Sequence, residues 1–298
     1  MSWIITKDQV SPPGDAAITY GITNAGGVFN LLSAGTVDYE AEWGDGNVQI
    51  STLNSLQHTY TAAGDYSVVV YSDGLYRPYF NSVTADVTQI TSVAIGSGAD
   101  LGTNLTNTWR GASNMTTFTC PFDVTSSVTN FTYTWRSCTS LTSFPLLDVS
   151  SGTIFNATWF GCNSLTSFPE LNTSSITNFS STWYGCISLT SFPLLNTSSG
   201  TAFNSAWRNC TSLTTFPANM FDTTGALIAA AFNNAWFNCA LTAQSIENIL
   251  TSLDTNGATG ITLSINAGTN AAKTTWSAAA VTAYDNLIVK GWTIYFNA

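Results

Sequence analysis

The chain contains one histidine, His58, so any Ser-His-Asp or Cys-His catalytic arrangement would have to be built around this residue. A general base also needs a second positioned group within hydrogen-bond reach. The surrounding segment HTYTAAGDY supplies no such group. We therefore expect no catalytic residues in this chain, and catalysis by His58 is the minor alternative.

Five of the six cysteines recur at a nearly constant step. They are Cys138, Cys162, Cys186, Cys210 and Cys239, whereas Cys120 lies outside the pattern. Structural zinc sites take ligands in pairs at short spacing, and no such pair occurs, so we expect no metal site. Cysteines on neighbouring copies of a repeat could lie close enough for a disulfide. We favour instead a column of free, buried thiols that act as small core residues.

Paired carboxylates are a further chemistry that the sequence could offer. Glycoside cleavage needs two acids that converge on a cleft. The acids within the repeats, which include Asp123, Asp148, Glu170 and Asp222, are few and do not recur in register. The segment WGDGN at Trp43 lacks the alternating oxygen ligands of a calcium loop and predicts a tight turn. We expect no bound cofactor, and an enzyme that acts on polysaccharide is the less favoured alternative.

Tryptophans at a constant spacing could form an aromatic platform on which the rings of a sugar ligand stack. Trp135, Trp159, Trp183 and Trp207 are each 24 residues apart. Each follows a phenylalanine by four residues and precedes a cysteine by three, which places the three side chains on one face of a helical turn. We therefore interpret the tryptophans as core residues. We expect ligands to meet the exposed Thr, Ser and Asn rows instead.

These residues belong to a repeat with a period of 24 residues, which is typical of a solenoid. Within one copy, Leu follows Trp by six residues and Phe follows it by nine, in a segment SLTSF that predicts a short strand ended by proline. One copy is then a helical turn, a short strand and a return rich in turn-forming residues. The predicted repeat core consists of Phe131, Trp135, Cys138, Leu141, Phe144, Phe155, Trp159, Cys162, Leu165, Phe168, Phe179, Trp183, Cys186, Leu189, Phe192, Phe203, Trp207, Cys210, Leu213 and Phe216.

The period divides the chain into three predicted parts. Residues 1–95 lack the repeat and alternate β-prone runs with Gly and Asp turns, as a small β-sandwich does. Residues 96–240 hold about six coils of the solenoid. Residues 241–298 predict two helices, with ITLSI and GWTIYF as strands, and we interpret them as the C-terminal cap of the solenoid. The predicted fold class is mainly β with short helices.

Charge and hydropathy limit the class of partner. Only 8% of the residues are charged, the net charge is −10, and no cluster of basic residues appears in the sequence. Because phosphate polymers need cations to neutralise them, we expect neither nucleic acid nor an anionic membrane as partner. No apolar run reaches the ~18 residues of a spanning helix, so no membrane insertion is expected. The segment MSWIITKDQVSPPGD lacks the pattern of a secretory leader, which favours release by lysis or inside a particle.

Two parts of the sequence resemble known families. The WGDG, HTY and GxY signature of PKD-type (polycystic kidney disease) domains is matched by Trp43, Gly44, Asp45, Gly46, His58, Tyr60, Gly64 and Tyr66. The repeats, as in TNFSSTWYGCISLTSF, resemble the BspA-type leucine-rich repeats of microbial surface proteins, with Trp and Phe in place of more usual aliphatic residues. The resemblance implies a PKD/Ig-like β-sandwich followed by a leucine-rich-repeat solenoid with an α/β cap, and a bracing role for His58. The same pairing resembles structural proteins of tailed bacteriophages.

We therefore expect a non-enzymatic structural protein of a bacteriophage virion, exposed on the head or tail surface, that serves in decoration or host-surface adhesion. Its expected partners are other virion proteins, a host surface glycan or protein, and further copies of the chain. The alternative is a secreted microbial adhesin located outside the cell or on its surface. A fold by itself does not decide between these functions.

Overall fold

The computed structural model describes residues 17–33, 38–52, 55–72, 75–80 and 85–298. Within them the fold is mainly β with short helices, as expected, and contains ten strands and two α-helices. Residues 1–16 of the predicted first domain lie outside the described residues.

The first eight strands form two sheets. They are β1 (Ala17–Asn24), β2 (Gly27–Leu32), β3 (Tyr39–Glu42), β4 (Val48–Ser51), β5 (Ser55–Tyr60), β6 (Gly64–Ser72), β7 (Ile90–Ile95) and β8 (Thr117–Thr119). One sheet has the order β4-β3-β6-β1-β7-β8, and the other consists of β2 and β5. Neighbouring strands are antiparallel except for β7 and β8, which are parallel.

Aromatic side chains join the two sheets. Tyr20 of β1 and Phe29 of β2 both contact Phe80, with ring centroids 5.5 and 6.2 Å apart. Tyr60 of β5 donates a hydrogen bond of 2.8 Å from its hydroxyl to the carbonyl oxygen of Trp43, which follows β3. All five side chains are buried. Large aromatic side chains bury much area each, so this cluster is a main source of stability for the first part of the chain.

The first part of the chain continues into the repeats without a break in the hydrophobic core. Strand β8 lies within the first copy of the repeat, yet Phe118 of this strand pairs with Val93 of β7. The backbone N–H of Phe80 donates to the carbonyl oxygen of Thr108 at 3.0 Å. A boundary at residue 95 therefore separates two sequence patterns that share one core.

Backbone hydrogen bonds join successive copies of the repeat. In one copy the donors are the N–H groups of Phe131, Tyr133, Trp135 and Ser137, and the acceptors in the next copy are the carbonyls of Ile154, Asn156, Thr158 and Phe160, at 2.7 to 3.1 Å. Between these bonds, turns close within the copy, as from the N–H of Thr134 to the carbonyl of Phe131 at 3.1 Å. Peptide groups thus alternate between bonding to the next copy and closing a local turn.

The predicted helical turn of the repeat is wrong in its backbone. A right-handed helix needs negative φ at every residue, but the residues two before and two after each tryptophan of the repeat have positive φ. In one copy these are Tyr133 at 59° and Ser137 at 63°, and in another Ser181 at 55° and Gly185 at 72°. This alternation turns every second N–H toward the next copy. The backbone is therefore bonded between copies rather than along a helix.

The predicted strand in SLTSF is also wrong in most copies. In the described residues only the first copy has a strand at this place, β8, and the later copies show one isolated bridge, between Ser191 and Thr215. The proline lacks an N–H group, and the leucine N–H closes a turn onto the cysteine, as Leu165 does onto Cys162 at 3.2 Å. Too few backbone groups remain to form a ladder.

The residues after the repeats form α1 (Ala243–Asn256), β9 (Thr262–Ile265), α2 (Ala278–Val289) and β10 (Thr293–Phe296), which confirms the two helices and two strands predicted there. Helix α1 begins after Thr242, whose side chain accepts from the N–H of Ser245, and ends at Gly257 with φ 80°. Strand β9 continues the rows of the repeats, because the N–H of Trp236 donates to the carbonyl of Ser264 at 3.1 Å. Neither α1 nor α2, the two α-helices among the described residues, has the length and hydropathy of a membrane-spanning segment.

Candidate binding surface

The structure places all the predicted repeat-core residues inside the molecule, with at most 7% of each residue exposed. The Phe, Trp, Cys and Leu columns therefore form layers between neighbouring copies. A single copy could not bury these side chains alone, so each copy depends on the next for its core.

The tryptophan rings form a continuous stack. Ring centroids are 5.5 Å apart between Trp135 and Trp159, 6.1 Å between Trp159 and Trp183, and 5.5 Å between Trp183 and Trp207. The phenylalanine nine residues after each tryptophan meets it edge-on, as Phe144 meets Trp135 at 4.7 Å and 76°. Because neighbouring indoles cover each other's faces, the column offers no free face to a sugar ring.

Each repeat cysteine donates a hydrogen bond from its thiol to the preceding copy. Cys162 Sγ lies 3.2 Å from the carbonyl oxygen of Trp135, and Cys210 Sγ lies 3.1 Å from that of Trp183. All six cysteines are free thiols. Burial raises the pKa of Cys186 to about 12. A thiol that stays neutral is a poor nucleophile and metal ligand, so the column has a structural part in the core.

A buried threonine in front of the tryptophan also links copies, and the periodicity argument does not include it. Thr158 Oγ1 donates to the carbonyl of Phe131 in the preceding copy at 2.9 Å, and Thr182 Oγ1 donates to that of Phe155 at 2.8 Å. The sequence signal is the recurrence of Thr directly before Trp in four successive copies, until Ala206 replaces it.

His58 lies at one corner of the two sheets. Its ring stacks on Trp43 with centroids 4.9 Å apart and planes 17° apart, and its Nε2 lies 2.7 Å from Oδ2 of Asp45. The side chain that hydrogen-bonds to His58 is thus a carboxylate. The geometry gives His58 a bracing contact between the turn after β3 and strand β5.

The other residues of the PKD-like signature lie at the same corner. Tyr66 stacks on Tyr60, with centroids 4.0 Å apart. Gly64 is the first residue of β6. Gly44 and Gly46, in the turn between β3 and β4, have φ of 79° and 91°, a conformation that favours glycine. The fold thus brings together residues that are separated in sequence.

The acidic side chains of the repeats accept hydrogen bonds from nearby serines or are exposed to solvent. Asp148 Oδ1 accepts from the N–H of Ser150 at 3.0 Å, and Asp222 Oδ1 accepts from the hydroxyl of Ser252 at 2.5 Å. Glu170 is exposed in an open depression of the surface. Within the residues that the structure describes, no three His, Cys, Asp or Glu side chains lie close enough to hold a metal ion.

Two adjacent rows of exposed hydroxyl groups run along the copies. We call them the hydroxyl face, and its residues are Thr142, Ser143, Thr166, Ser167, Thr190, Ser191, Thr214 and Thr215. The backbone holds these rows in place, since both the N–H and the Oγ1 of Thr214 donate to the carbonyl of Thr190, at 3.0 and 3.2 Å. A hydroxyl that donates inward keeps acceptor capacity toward solvent. The face is therefore ordered, neutral and periodic.

A further row on the surface consists of the residue that directly follows the tryptophan in each copy of the repeat. We call it the arginine–aromatic row, and it comprises Arg110, Arg136, Phe160, Tyr184, Arg208 and Phe237, together with Tyr133 between the first two arginines. Three of the four arginines of the chain lie here. Stacking brings residues of different copies side by side, so arginines that are separated in the sequence lie along one strip. The column of residues after Trp carries the signal in the sequence.

Comparisons with protein-family models, with curated proteins and with solved structures each found no match for this chain.

Proposed function

We propose that this chain is a non-enzymatic structural protein on the surface of a bacteriophage virion, where it decorates the head or tail or adheres to the host. In this proposal the first part is a PKD/Ig-like β-sandwich that serves as attachment or spacer. The repeats are a BspA-type solenoid, closed by the C-terminal cap, that displays a binding surface.

The observation that carries the proposal is the hydroxyl face. Its hydroxyl residues recur at the same place in four successive copies, and hydrogen bonds tie threonines of neighbouring copies together, as Thr166 to Thr142 and Thr214 to Thr190. A preorganised surface loses little conformational entropy on binding. Neutral hydrogen-bonding groups in a regular row suit a periodic glycan or a flat protein partner.

The stacking of copies supports display rather than a single site. Trp159, for example, has Trp135 on one side and Trp183 on the other, in neighbouring copies. Stability in such an array is a sum of contacts between neighbours, so copies extend a surface without changing its chemistry. An enzyme would instead need one place that differs from the rest.

The corner around His58 supports the sandwich part of the proposal. Its stacking on Trp43 and its contact with Asp45 tie together the two sheets. These contacts support the bracing role that the resemblance implies for His58.

Mass spectrometry and immunogold labelling of purified phage particles test the proposal. We expect peptides of this chain in the particles and gold on heads or tails, and the position of the label distinguishes decoration from adhesion. Absence from particles together with label on cell envelopes would contradict the virion location and favour the secreted adhesin.

A further inference from the structure

The arginine–aromatic row is a continuous stack of planar groups on the surface. At its centre Phe160 and Tyr184 lie face to face, with centroids 4.4 Å apart and planes 6° apart. Arg136 Cζ lies 4.3 Å from the centroid of Phe160. On the far side of Tyr184, Arg208 Cζ lies 5.8 Å from the centroid of that ring. Each arginine therefore covers an aromatic face.

The stack continues at both ends. Tyr133 lies between two arginines, with its centroid 5.4 Å from Arg110 Cζ and 5.2 Å from Arg136 Cζ. Phe237 covers Arg208 at 4.9 Å. All these side chains are half-buried, so part of each faces solvent. The row thus runs along the copies from the first to the last.

Stacking determines which parts of these groups meet a ligand. An aromatic ring is negative on its faces and positive at its edge. Here the faces of Tyr133 and Phe160 are occupied by guanidinium groups, so the exposed parts are positive ring edges and guanidinium N–H groups. The row therefore favours acceptor oxygen atoms and negative charge, although the whole chain has a net charge of −10.

The arginines of the row are not neutralised by the chain. Neither of the two ion pairs found within the described residues includes an arginine. Among the residues that the structure describes, the acceptor found for Arg110 is Oδ1 of Asn107, a neutral group, at 3.3 Å. Arg208 Nε is buried, so contact of Arg208 with a ligand is left to its two terminal nitrogens. Guanidinium groups bind carboxylates through paired hydrogen bonds, so these arginines have unused capacity for an anion.

Neutral amides line the same strip. Asn209 Nδ2 donates to the hydroxyl of Tyr184 at 3.0 Å, and Asn238 Nδ2 donates to Oδ1 of Asn209 at 3.1 Å. Amides and phenols that lie beside exposed cations can bind the hydroxyl groups of sugars. The strip follows the direction in which the copies stack, so it fits an extended polymer ligand.

We propose that the arginine–aromatic row binds a linear polysaccharide that carries carboxylate groups. Only three cations are spread over the length of the row. Nucleic-acid affinity depends on many Lys and Arg contacts with phosphates, which three arginines do not supply. An acidic protein segment would supply carboxylates without the hydroxyl groups that match the asparagines. The inference deepens the proposed function by naming a ligand class, and it rests on the repeats being a binding surface.

Binding of the purified full chain to polygalacturonate, hyaluronan and dextran tests the inference. Every sugar carries a carboxylate in the first polymer, alternate sugars do in the second, and none does in the third. We expect both carboxylated polymers to bind, more weakly at high salt, and dextran not to bind. The double variant Arg136→Gln, Arg208→Gln should lose roughly tenfold or more in affinity, because it removes two charge-assisted contacts.

Matched variants keep the test specific. Lys290→Gln removes a positive charge that pairs with Asp254 elsewhere, and it should bind as the unaltered chain does. Arg136→Lys keeps the charge but loses the planar fork, so it should recover only part of the affinity lost in Arg136→Gln. Thermal melting of each variant checks that the fold is retained.

Three results would overturn the inference. The first is that the double variant binds polygalacturonate with the same affinity as the unaltered chain. The second is that polyglutamate or single-stranded DNA binds to the unaltered chain as tightly as the polysaccharides do. Binding could also depend on Thr166 and Thr190 of the hydroxyl face and not on the arginines, in which case the proposed display function stands without this ligand. If the chain is absent from virions but its arginine variants lose binding, only the proposed virion location is contradicted.

Discussion

The thiol of Cys162 lies 3.2 Å from the carbonyl oxygen of Trp135, and this contact joins two copies of the repeat. The indole of Trp135 stacks on that of Trp159 across the same junction. Polar and apolar contacts thus reinforce each other between the same two copies. A substitution in a middle copy should therefore weaken two junctions at once.

Trp183→Ala should lower the free energy of unfolding by about 3 to 5 kcal/mol. Trp183 is fully buried and stacks on Trp159 and Trp207, so the change leaves a cavity in two layers. Urea denaturation followed by circular dichroism measures the loss. Ile187→Ala is the control, because 43% of Ile187 is exposed and its removal should change stability by less than ~0.5 kcal/mol. Equal midpoints for the two variants would contradict the buried stack.

Thr158→Val should cost about 1 kcal/mol, because it keeps the shape of the side chain and removes a buried hydrogen bond. That bond runs from Thr158 Oγ1 to the carbonyl of Phe131 at 2.9 Å. The matched control is Thr166→Val on the exposed hydroxyl face, where water can replace the lost bond. A larger loss of stability in Thr166→Val than in Thr158→Val would refute a structural part for the buried threonines.

Stability should fall as the pH rises above about 9, because the buried thiols keep their protons in the folded state. Burial raises the pKa of Cys186 and Cys239 from 9.0 to about 12. Between these values the unfolded chain releases protons that the folded chain retains, so each thiol lowers the free energy of unfolding by up to about 1.4 kcal/mol per pH unit. The buried tyrosines Tyr20 and Tyr76, whose pKa values burial also raises, act in the same direction.

Urea denaturation at several alkaline pH values measures this slope. Cys186→Ala should start from a lower stability and lose less of it with rising pH, because one titrating group is gone. A native chain should also resist alkylation by iodoacetamide at the repeat cysteines, whereas the unfolded chain should react at all six. Rapid alkylation of Cys186 in the native chain would disprove its burial.

The columns of the repeat are predictable from sequence because burial follows spacing. Phe, Trp and Cys recur at separations that place them on one face, and the structure has them in the core. The same spacings of four and three residues fit a helical turn and also the alternating backbone that the chain adopts. Positive φ at Ser137 and Ser181 has no distinctive sequence signal, since serine rarely takes this conformation. The backbone could therefore not be chosen from spacing alone.

The arginine–aromatic row was not predicted for a different reason. Arg136 and Arg208 are far apart in sequence, and their shared place directly after Trp brings them to one strip when the copies stack. Neighbouring residues along the sequence show no basic cluster, whereas equal places in successive copies do. The cap was predictable because helix α1 has apolar residues at helical spacing, with Thr242 and Gly257 at its ends.

The turn of the PKD-like signature gives a test of close packing at a single residue. A Cβ atom on Gly44 would lie 2.7 Å from the carbonyl oxygen of Ser67, whereas one on Gly46 would meet nothing within 4 Å. Both glycines have positive φ, so alanine at either position costs about 1 to 2 kcal/mol in backbone strain.

Gly44→Ala should therefore destabilise the chain by about 1 to 3 kcal/mol more than Gly46→Ala, since its methyl group must also displace the backbone of β6. Scanning calorimetry of the two variants measures the difference. The displaced turn carries Asp45, so Gly44→Ala should also separate Asp45 from His58, and the His58 ring signals in an NMR spectrum should shift. Equal melting temperatures with unchanged His58 signals would show that the turn does not press against β6.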